Sequence, residues 1–431
     1  MGDMVSDMGE NKALQRAVDS FEQIESSYVD TLRSKGLKFE ERNASTARTK
    51  ELLDQLKSRG AVFRNAGASV LYGWLSEACE ECTGMGGSQT FSTTLKCHRD
   101  CYFCFNHNLA EYDKFFERGC PWKEELENAY KATGGKLAAM GVSGGEPLLV
   151  LDDSIRLIEE ARKLFPGVHT RMYTSGDLLT PESARRLDAA GLREIRFSVK
   201  HDDTPEMRER VLENMAMATE YIEDVMVEMP IEPGTKEVMQ DWMQRFQEAG
   251  IKGMNLLEFC FPFHSWEEFE RRGFLLKNPP YPVMYDYAYS GGLAIAGSET
   301  LALELMVWAI DAGLTFGLHY CSLENKHRSE MLQVNLGGEA AHPIFDFDQG
   351  DYFIKTAKVF GPDRVIADPL LRAAGCEHIV ADDDEESIAF SRAFLPALEG
   401  AGVQPMIAVS LMEKDEKGYY LREVALQEPM A

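Results

Sequence analysis

Three cysteines fall within one short stretch, Cys97-His98-Arg99-Asp100-Cys101-Tyr102-Phe103-Cys104. Three thiolates on one loop can cap three corners of a cubane iron–sulfur cluster. Clusters that only carry electrons use four cysteines, so this loop would leave one iron open to a substrate or cofactor ligand. Zinc is the alternative, with His98 or His107 completing a closed Cys₃His site. The x₃-then-x₂ spacing, however, is unlike the paired Cys-x₂-Cys knuckles of common zinc ribbons. A second element, Ser143-Gly144-Gly145-Glu146-Pro147, closes the next expected strand. Its two glycines let backbone approach a ligand closely, and Pro147 sets the exit direction. Alone the string fits a plain turn; its place on the strand after the cysteine loop is what a shared site requires.

The other six cysteines divide. Cys79-Glu80-Glu81-Cys82 forms a Cys-x₂-Cys upstream, and Cys321 ends the run Leu318-His319-Tyr320-Cys321-Ser322, where alternation points it to the same side as His319. Cys120, Cys260 and Cys376 read as small buried hydrophobes. Nine cysteines is an odd number, and six of them lie between Cys79 and Cys120. The N-terminus has no basic stretch followed by an apolar core, so the expectation is a cytoplasmic protein whose thiols serve metal or redox chemistry rather than disulfides. Gly2 and Ser6 fit a loose myristoylation pattern that acidic Asp3 does not support.

The elements that must position these residues begin with a large core. The 431 residues, 44% hydrophobic and 27% charged, suit one large globular core with appended pieces. A net charge of −26 repels phosphate backbones and anionic lipid, which argues against nucleic acid and membrane partners. The apolar stretch from Gly292 to Tyr320 is broken by Glu299, Glu304 and Asp311, as a buried helix and strand would be.

From residue 88 short apolar runs alternate with amphipathic ones. Strands are expected over Ala138 to Val142, His169 to Thr174, Glu194 to Lys200, Val225 to Ile231, Gly253 to Phe259 and Thr315 to Tyr320. Helices are expected between them: Asp153 to Leu164, Pro181 to Gly191, Glu206 to Tyr221, Val238 to Ala249 and Ala302 to Ile310. This βα rhythm implies a parallel sheet with right-handed crossovers, and leaves open whether the sheet is flat, closed or a partial barrel. In the fourth strand Arg196, Ser198 and Lys200 share one face and Ile195, Phe197 and Val199 the other. Helices cover the outside of a parallel barrel, so the polar triplet is expected to line the interior. The cysteine loop, Gly144 to Pro147, Thr174-Ser175-Gly176, Lys200, Pro230 to Gly234 and Glu258 all fall at C-terminal strand ends, where parallel barrels build their sites. Three regions are expected: residues 1–87, a helical extension with the Cys-x₂-Cys; residues 88–325, the α/β barrel; and residues 326–431, an α+β appendage with strands over Met406 to Met412 and Tyr419 to Ala425. Residues 261–297, rich in aromatics, proline and glycine, read as a lid-like insertion or a packing patch.

The Cys-x₃-Cys-x-aromatic-Cys loop and the Gly-Gly-Glu-Pro turn, in this order on βα units, resemble the radical S-adenosylmethionine (radical SAM) enzymes over residues 88–321. The resemblance implies a partial (βα)₆ barrel, and a [4Fe–4S] cluster on Cys97, Cys101 and Cys104 whose fourth iron is chelated by the amino and carboxylate groups of SAM. It also implies that Phe103 lies near the adenine and that the Gly144, Gly145 and Glu146 backbone receives the SAM amino group. Thr174-Ser175-Gly176 is similar to the Thr-Asn-Gly ending of pyruvate formate-lyase activating enzymes. Ser198 and Lys200 resemble their SAM-contacting Asp-x-Lys pair, with serine in place of the aspartate. The Cys79-x₂-Cys82 pair, the Asn255-Leu256-Leu257-Glu258 strand and the His319-Tyr320-Cys321-Ser322 ending together resemble a branch related to those activating enzymes. On that basis Cys79, Cys82 and Cys321 are candidate ligands of a second metal, zinc or an auxiliary cluster. Their order along the chain could equally set them at opposite barrel ends.

The implied activity is hydrogen abstraction from a small molecule or peptide by a 5′-deoxyadenosyl radical, fed by a low-potential donor of the ferredoxin or flavodoxin type. The alternatives are an activating enzyme that installs a glycyl radical on a protein partner and a non-catalytic zinc or iron–sulfur scaffold.

Overall fold

The computed structural model describes residues 11–84, 86–109, 111–280, 292–336, 342–415 and 418–429. Gly2, Ser6 and the centre of the aromatic insertion, residues 281–291, lie outside them. By contact the chain forms two units, Leu37–Lys326 and the pairing of Met1–Gly36 with His327–Ala431.

The larger unit is built on one nine-stranded sheet. Its strands are β1 (Val62–Arg64), β2 (Ser69–Tyr72), β3 (Ser88–Thr94), β4 (Ala139–Gly144), β5 (His169–Thr174), β6 (Glu194–Phe197), β7 (Asp224–Ile231), β8 (Gly253–Glu258) and, after the short antiparallel pair β9 (Cys260–Phe261) and β10 (Leu293–Ala294), β11 (Gly317–Cys321). They lie in the order β1-β2-β11-β8-β7-β6-β5-β4-β3. From β3 through β8 to β11 every neighbouring pair is parallel. Each strand therefore follows its predecessor without the reversal that marks a doubly wound sheet, which is barrel-type winding. β2 joins β11 antiparallel, and β3 and β1 remain as edges, so the barrel is partial.

Local sequence sets the elements. The helix Pro181–Ala190 has Pro181 in its first turn and a reciprocal cap between Thr180 and Ser183, and it stops at Gly191 in the left-handed region. β6 ends at Phe197, short of Lys200, because the chain there enters a turn closed by the Asp203 N–H on the Lys200 carbonyl. Alternation holds as expected. Met172, Ile195, Phe197, Val227, Leu256 and Leu318 join the helices in the main apolar core, and the opposite faces of the strands carry polar groups. Burial of such side chains stabilises by roughly 1.5–3 kcal/mol each.

The inner face holds a network of charges. Arg196 on β6 donates to Glu194 and to Glu228 on β7; Asn255 on β8 donates to Glu228 at 2.5 Å; and the His319 ring on β11 meets the Asn255 carbonyl at 2.9 Å and the Ser69 hydroxyl at 2.7 Å. Arg171 on β5 donates to the Tyr173 hydroxyl at 2.8 Å and to Ser88 at 3.1 Å. The five-residue helix Glu77–Glu81 packs against β4 and β5 and enters this network. The Ser76 hydroxyl before it donates to Glu194 and accepts from Arg196. Buried ion pairs contribute little net stability, yet stripping one partner costs about 3–5 kcal/mol, so the network enforces its own geometry.

The smaller unit is an antiparallel sheet of β12 (Asp346–Phe347), β13 (Ile354–Phe360), β14 (Ile379–Asp382), β15 (Ser387–Phe390), β16 (Met406–Asp415) and β17 (Gly418–Gln427), ordered β14-β15-β13-β16-β17 with β12 on β13. The expected strand pair near the C-terminus is present: β16 starts at Met406 as expected and runs on to Asp415, and β17 is longer at both ends. The N-terminal helix Lys12–Ser34 belongs here: Leu14 packs with Phe360, Ala408 and Leu426, and the Asn11 amide donates to the Phe360 carbonyl at 2.9 Å.

Candidate active site

The cysteine loop leaves the C-terminal end of β3 and is clamped by its neighbours. The Gly145 and Glu146 N–H groups donate to the Thr94 and Lys96 carbonyls at 2.7 and 2.8 Å. Gly144 has φ +111, and a Cβ on it would overlap the Thr94 carbonyl oxygen; a Cβ on Gly145 would overlap that of Lys96. These two positions admit only glycine because the cysteine loop starts against their main chain. The Asn106 amide, just past the loop, donates to the Gly144 carbonyl at 2.6 Å.

Glu146 is 1% exposed. Its carboxylate accepts from the Thr174 hydroxyl at 2.8 Å, the Ser175 N–H at 2.8 Å, the Ser175 hydroxyl at 2.7 Å and the Leu148 N–H at 3.1 Å. It ties the end of β4 to the end of β5. From there the frame returns to the loop: the Ser175 hydroxyl, whose one proton Glu146 and Asp177 share, also lies 2.7 Å from Asp177, and Asp177 accepts from His98 at 2.8 Å and pairs with Arg99 at 3.2 Å. Arg99 also pairs with Asp203 in the turn after Lys200. Burial alone would raise the Asp177 carboxyl, but Ser175, His98 and Arg99 together hold it below its ordinary value.

A cavity of about 360 Å³ opens here, lined by Cys97, Cys101, Cys104, Gly144, Gly145, Glu146, Ser175 and Lys200 together with Arg99, Asn106, His107 and Tyr173. Burial pushes all three thiols up, Cys101 to about 11, while the Lys200 ammonium pulls each back toward the anion. A larger hollow of about 910 Å³ lies at the opposite strand ends, among the turns before β5 and β6, away from the thiols.

Two expected site residues lie off this lining. Phe103 packs edge-on against Tyr102 and Phe259, with ring centroids 5.0 and 5.6 Å apart, and Ser198 spends its N–H on the Thr174 carbonyl at 3.0 Å. The aromatic cluster continues into the described part of the insertion, where Phe269 meets Tyr102 at 5.0 Å and Phe261 meets Trp266 at 5.0 Å. His264 donates to the Cys104 carbonyl at 2.6 Å. This part of the insertion backs the cysteine loop. Asp177, Asn106 and Tyr173 escaped the sequence reading. The one local sign was Asp177 two residues after Ser175, able to meet the basic His98-Arg99 pair.

In the second set, Cys79 and Cys321 are buried and Cys82 is half-buried. The Cys79 sulfur accepts from Arg196 at 3.3 Å and from Asn255 at 3.2 Å, and the Cys321 sulfur accepts from the Asn325 amide at 3.3 Å. Asn65 bridges the two sides, donating to Thr83, next to Cys82, at 3.2 Å and to the Asn325 carbonyl oxygen at 2.6 Å. Burial pushes the Cys321 thiol up to about 12, and burial, with Arg64 and Arg196, holds the His319 imidazole down at about 3, neutral at physiological pH.

The three-thiol loop on a glycine bracket at the C-terminal end of parallel strands agrees with a sequence comparison: residues 91–272 match the profile of the Radical SAM superfamily. Residues 91–272 are thus similar to a radical SAM domain. A relative from Methanocaldococcus jannaschii, provisionally named a glycyl-radical enzyme activating enzyme, is 30% identical over 244 residues, covering 54% of this chain. The match spans 60% of the relative's length. Among solved structures, Streptococcus suis SuiB aligns at 13% identity over 77% of this chain and 66% of its own, with a TM-score of 0.40. The methyltransferase TsrM from Kitasatospora setae, solved with cobalamin and a [4Fe–4S] cluster, aligns at 18% identity over 40% of this chain and 36% of its own, with a TM-score of 0.30. At such scores the fold of the radical SAM domain is read from its own strand order. Among the described residues no helix is long and apolar enough to cross a membrane.

Proposed function

We propose that the chain is a radical SAM enzyme whose cluster sits on Cys97, Cys101 and Cys104 and whose SAM lies against Gly144, Gly145, Glu146, Ser175 and Lys200. The observation that carries this reading is that one cavity is lined by all three thiols, the glycine bracket and the Lys200 ammonium. The donor set fits the group: three thiols on one loop leave an open iron, and the nearby cation favours the thiolates that iron needs. Bound there, a [4Fe–4S] cluster with SAM on its open iron supplies reductive cleavage to methionine and a 5′-deoxyadenosyl radical that abstracts a substrate hydrogen. The protein's own part is positioning. Glu146 fixes two strand ends, His98 and Arg99 tie the loop to Asp177, and the aromatic wall of Tyr102, Phe103 and Phe259 shields the loop from behind.

The substrate is a small molecule or a peptide, and the electron comes from a ferredoxin- or flavodoxin-type donor. A second reading, installation of a glycyl radical on a protein partner, is supported by the name given to the Methanocaldococcus relative. Cys79, Cys82 and Cys321 are assigned a second metal, zinc or an auxiliary cluster. Ser198 and Phe103 lie off the cavity lining, and a role for them toward SAM rests on the resemblance to the radical SAM and activating enzymes alone.

The test is anaerobic reconstitution with iron and sulfide, then dithionite and SAM. 5′-Deoxyadenosine should form with the native chain and not with the Cys97→Ala, Cys101→Ala, Cys104→Ala variant. A cluster-loaded native protein that yields none would defeat the enzymatic reading. A glycine-centred radical signal on an added candidate partner would select the second reading.

A further inference from the structure

We propose that His169, Glu194 and Asp224 form a binding site for a divalent first-row metal ion at the floor of the barrel, at the strand ends opposite the cysteine loop. The site stands apart from the radical SAM reading, and neither depends on the other.

The topology sets the three residues side by side. Each is the first residue of its strand, His169 of β5, Glu194 of β6 and Asp224 of β7, and these strands are parallel neighbours in the sheet. Alternation puts them on the inner face, in the layer beneath Arg171 on β5 and Arg196 on β6. One ligand-type atom from each, an imidazole nitrogen and two carboxylate oxygens, lies within 4.8 Å of the other two. His169 and Glu194 are 0% exposed and Asp224 is 5% exposed. Two carboxylates held that close in a buried place repel each other, and a cation between them turns the repulsion into binding.

The His169 ring is the observation that points to an ion. Its Nε2 lies 3.0 Å from a Glu194 oxygen, and its Nδ1 has no hydrogen bond although a Glu77 oxygen stands 3.4 Å away. A neutral imidazole has one N–H for these two carboxylates, so one ring nitrogen turns a bare lone pair toward an anion. An ion on Nε2 removes the conflict. The ring's single proton then sits on Nδ1 and faces Glu77, the carboxylate–histidine–metal arrangement that fixes the tautomer of a metal-binding histidine. The helix Glu77–Glu81 that delivers Glu77 is preceded by Ser76, whose hydroxyl donates to Glu194 from the same side.

The existing cations leave room for the ion. Arg196 takes one Glu194 oxygen and Lys252 one Asp224 oxygen, so each carboxylate keeps a second oxygen to offer. One imidazole and two carboxylates suit zinc, manganese or ferrous iron, whereas calcium and magnesium prefer oxygen ligands alone. Bonds of about 2.0–2.2 Å would require the three ligand atoms to close only slightly. Glu77 and Lys252, with side chains 51% and 40% exposed, stand on the solvent side and mark the way in. The site lies four residues along β5, about 13 Å, below Tyr173 in the lining of the first cavity. Its part is therefore to brace three strand starts, not to meet a substrate.

The experiment titrates the full chain, reconstituted anaerobically with iron and sulfide, with Mn²⁺ alone and follows the ion by electron paramagnetic resonance. Manganese has little affinity for thiols, so the cysteines do not compete. One tightly bound Mn²⁺ per chain is expected, with coupling to one imidazole nitrogen in the pulsed spectrum, and Zn²⁺ should displace it. Asp224→Asn and His169→Gln should each weaken binding at least about tenfold and remove the nitrogen coupling. Mn²⁺ should also raise the melting temperature of the native chain and leave that of Asp224→Asn unchanged. No bound Mn²⁺ at millimolar concentration, binding without nitrogen coupling as on an acidic surface, or equal binding by native and variant chains would each overturn the proposal. None of these outcomes bears on 5′-deoxyadenosine formation. If His169→Gln does not fold, Asp224→Asn decides by the same readouts.

Discussion

Two sets of three thiols sit in one barrel unit, and the chain assembles them by different means. Cys97, Cys101 and Cys104 come from a single loop, and Cys97 is exposed; the loop is held by main-chain contacts to Gly145 and Glu146 and by ion pairs of its own basic residues. Cys79, Cys82 and Cys321 come from a short helix and a distant strand end, with Cys79 and Cys321 buried and their sulfurs held by amides and a guanidinium. The first arrangement suits a centre that must admit a ligand from the cavity; the second suits a centre enclosed by protein. Thiol count alone does not tell them apart. What surrounds the sulfur does.

The comparison can be broken from either side. The largest expected effect is from Arg196→Met, which leaves Glu194 and Glu228 buried without their cation. It should cost about 3–5 kcal/mol in denaturant unfolding and, if Cys79, Cys82 and Cys321 hold the second metal proposed for them, lower that metal's content while sparing iron on the loop. Next, burial alone would raise the Glu194 carboxyl, but Arg196, His169 and Ser76 outweigh it and hold it at about 2. The stabilisation is complete above pH 4.5 and is lost as pH falls from there toward 2, amounting to roughly 3 kcal/mol. Unfolding followed against pH should show that slope in the native chain and a flatter one in Glu194→Gln. Gly145→Ala attacks the other side by driving a Cβ into the Lys96 carbonyl, for about 1–3 kcal/mol. Iron analysis should show the loop's share lost. The smallest effect is expected from Asp177→Asn, which weakens the hold on His98 and Arg99 by about 1 kcal/mol. It should raise the SAM concentration needed for half-maximal cleavage several-fold with little change in melting temperature.

Much of this was legible in the sequence because it rests on short-range pattern. The alternation around Ile195, Phe197 and Val199 assigned the outer face, and the Pro181 and Gly191 pair bounded a helix where the structure has one. The loop and the Gly-Gly-Glu-Pro turn were adjacent in the argument because they are adjacent in the fold. What escaped depends on long-range geometry. The Glu77–Glu81 helix packing against the strands has no local signature, so Cys79 and Cys321 could as well have been set at opposite ends. The docking of Lys12–Ser34 with the C-terminal sheet joins segments over 300 residues apart. Tyr173 drew no reading beyond its place in the expected strand His169 to Thr174, yet it lines the cavity.

The glycine bracket carries a consequence for assembly. Each anchor of the cysteine loop described above runs between protein atoms, from the Thr94 and Lys96 carbonyls to Asp177 and Asp203. The loop is therefore a mould set before casting. If it holds the proposed cluster, its shape rests on these protein contacts, and iron and sulfide would have only to fill it. Oxygen damage that strips the metal should leave the mould standing, ready to be recharged without passing through the unfolded chain.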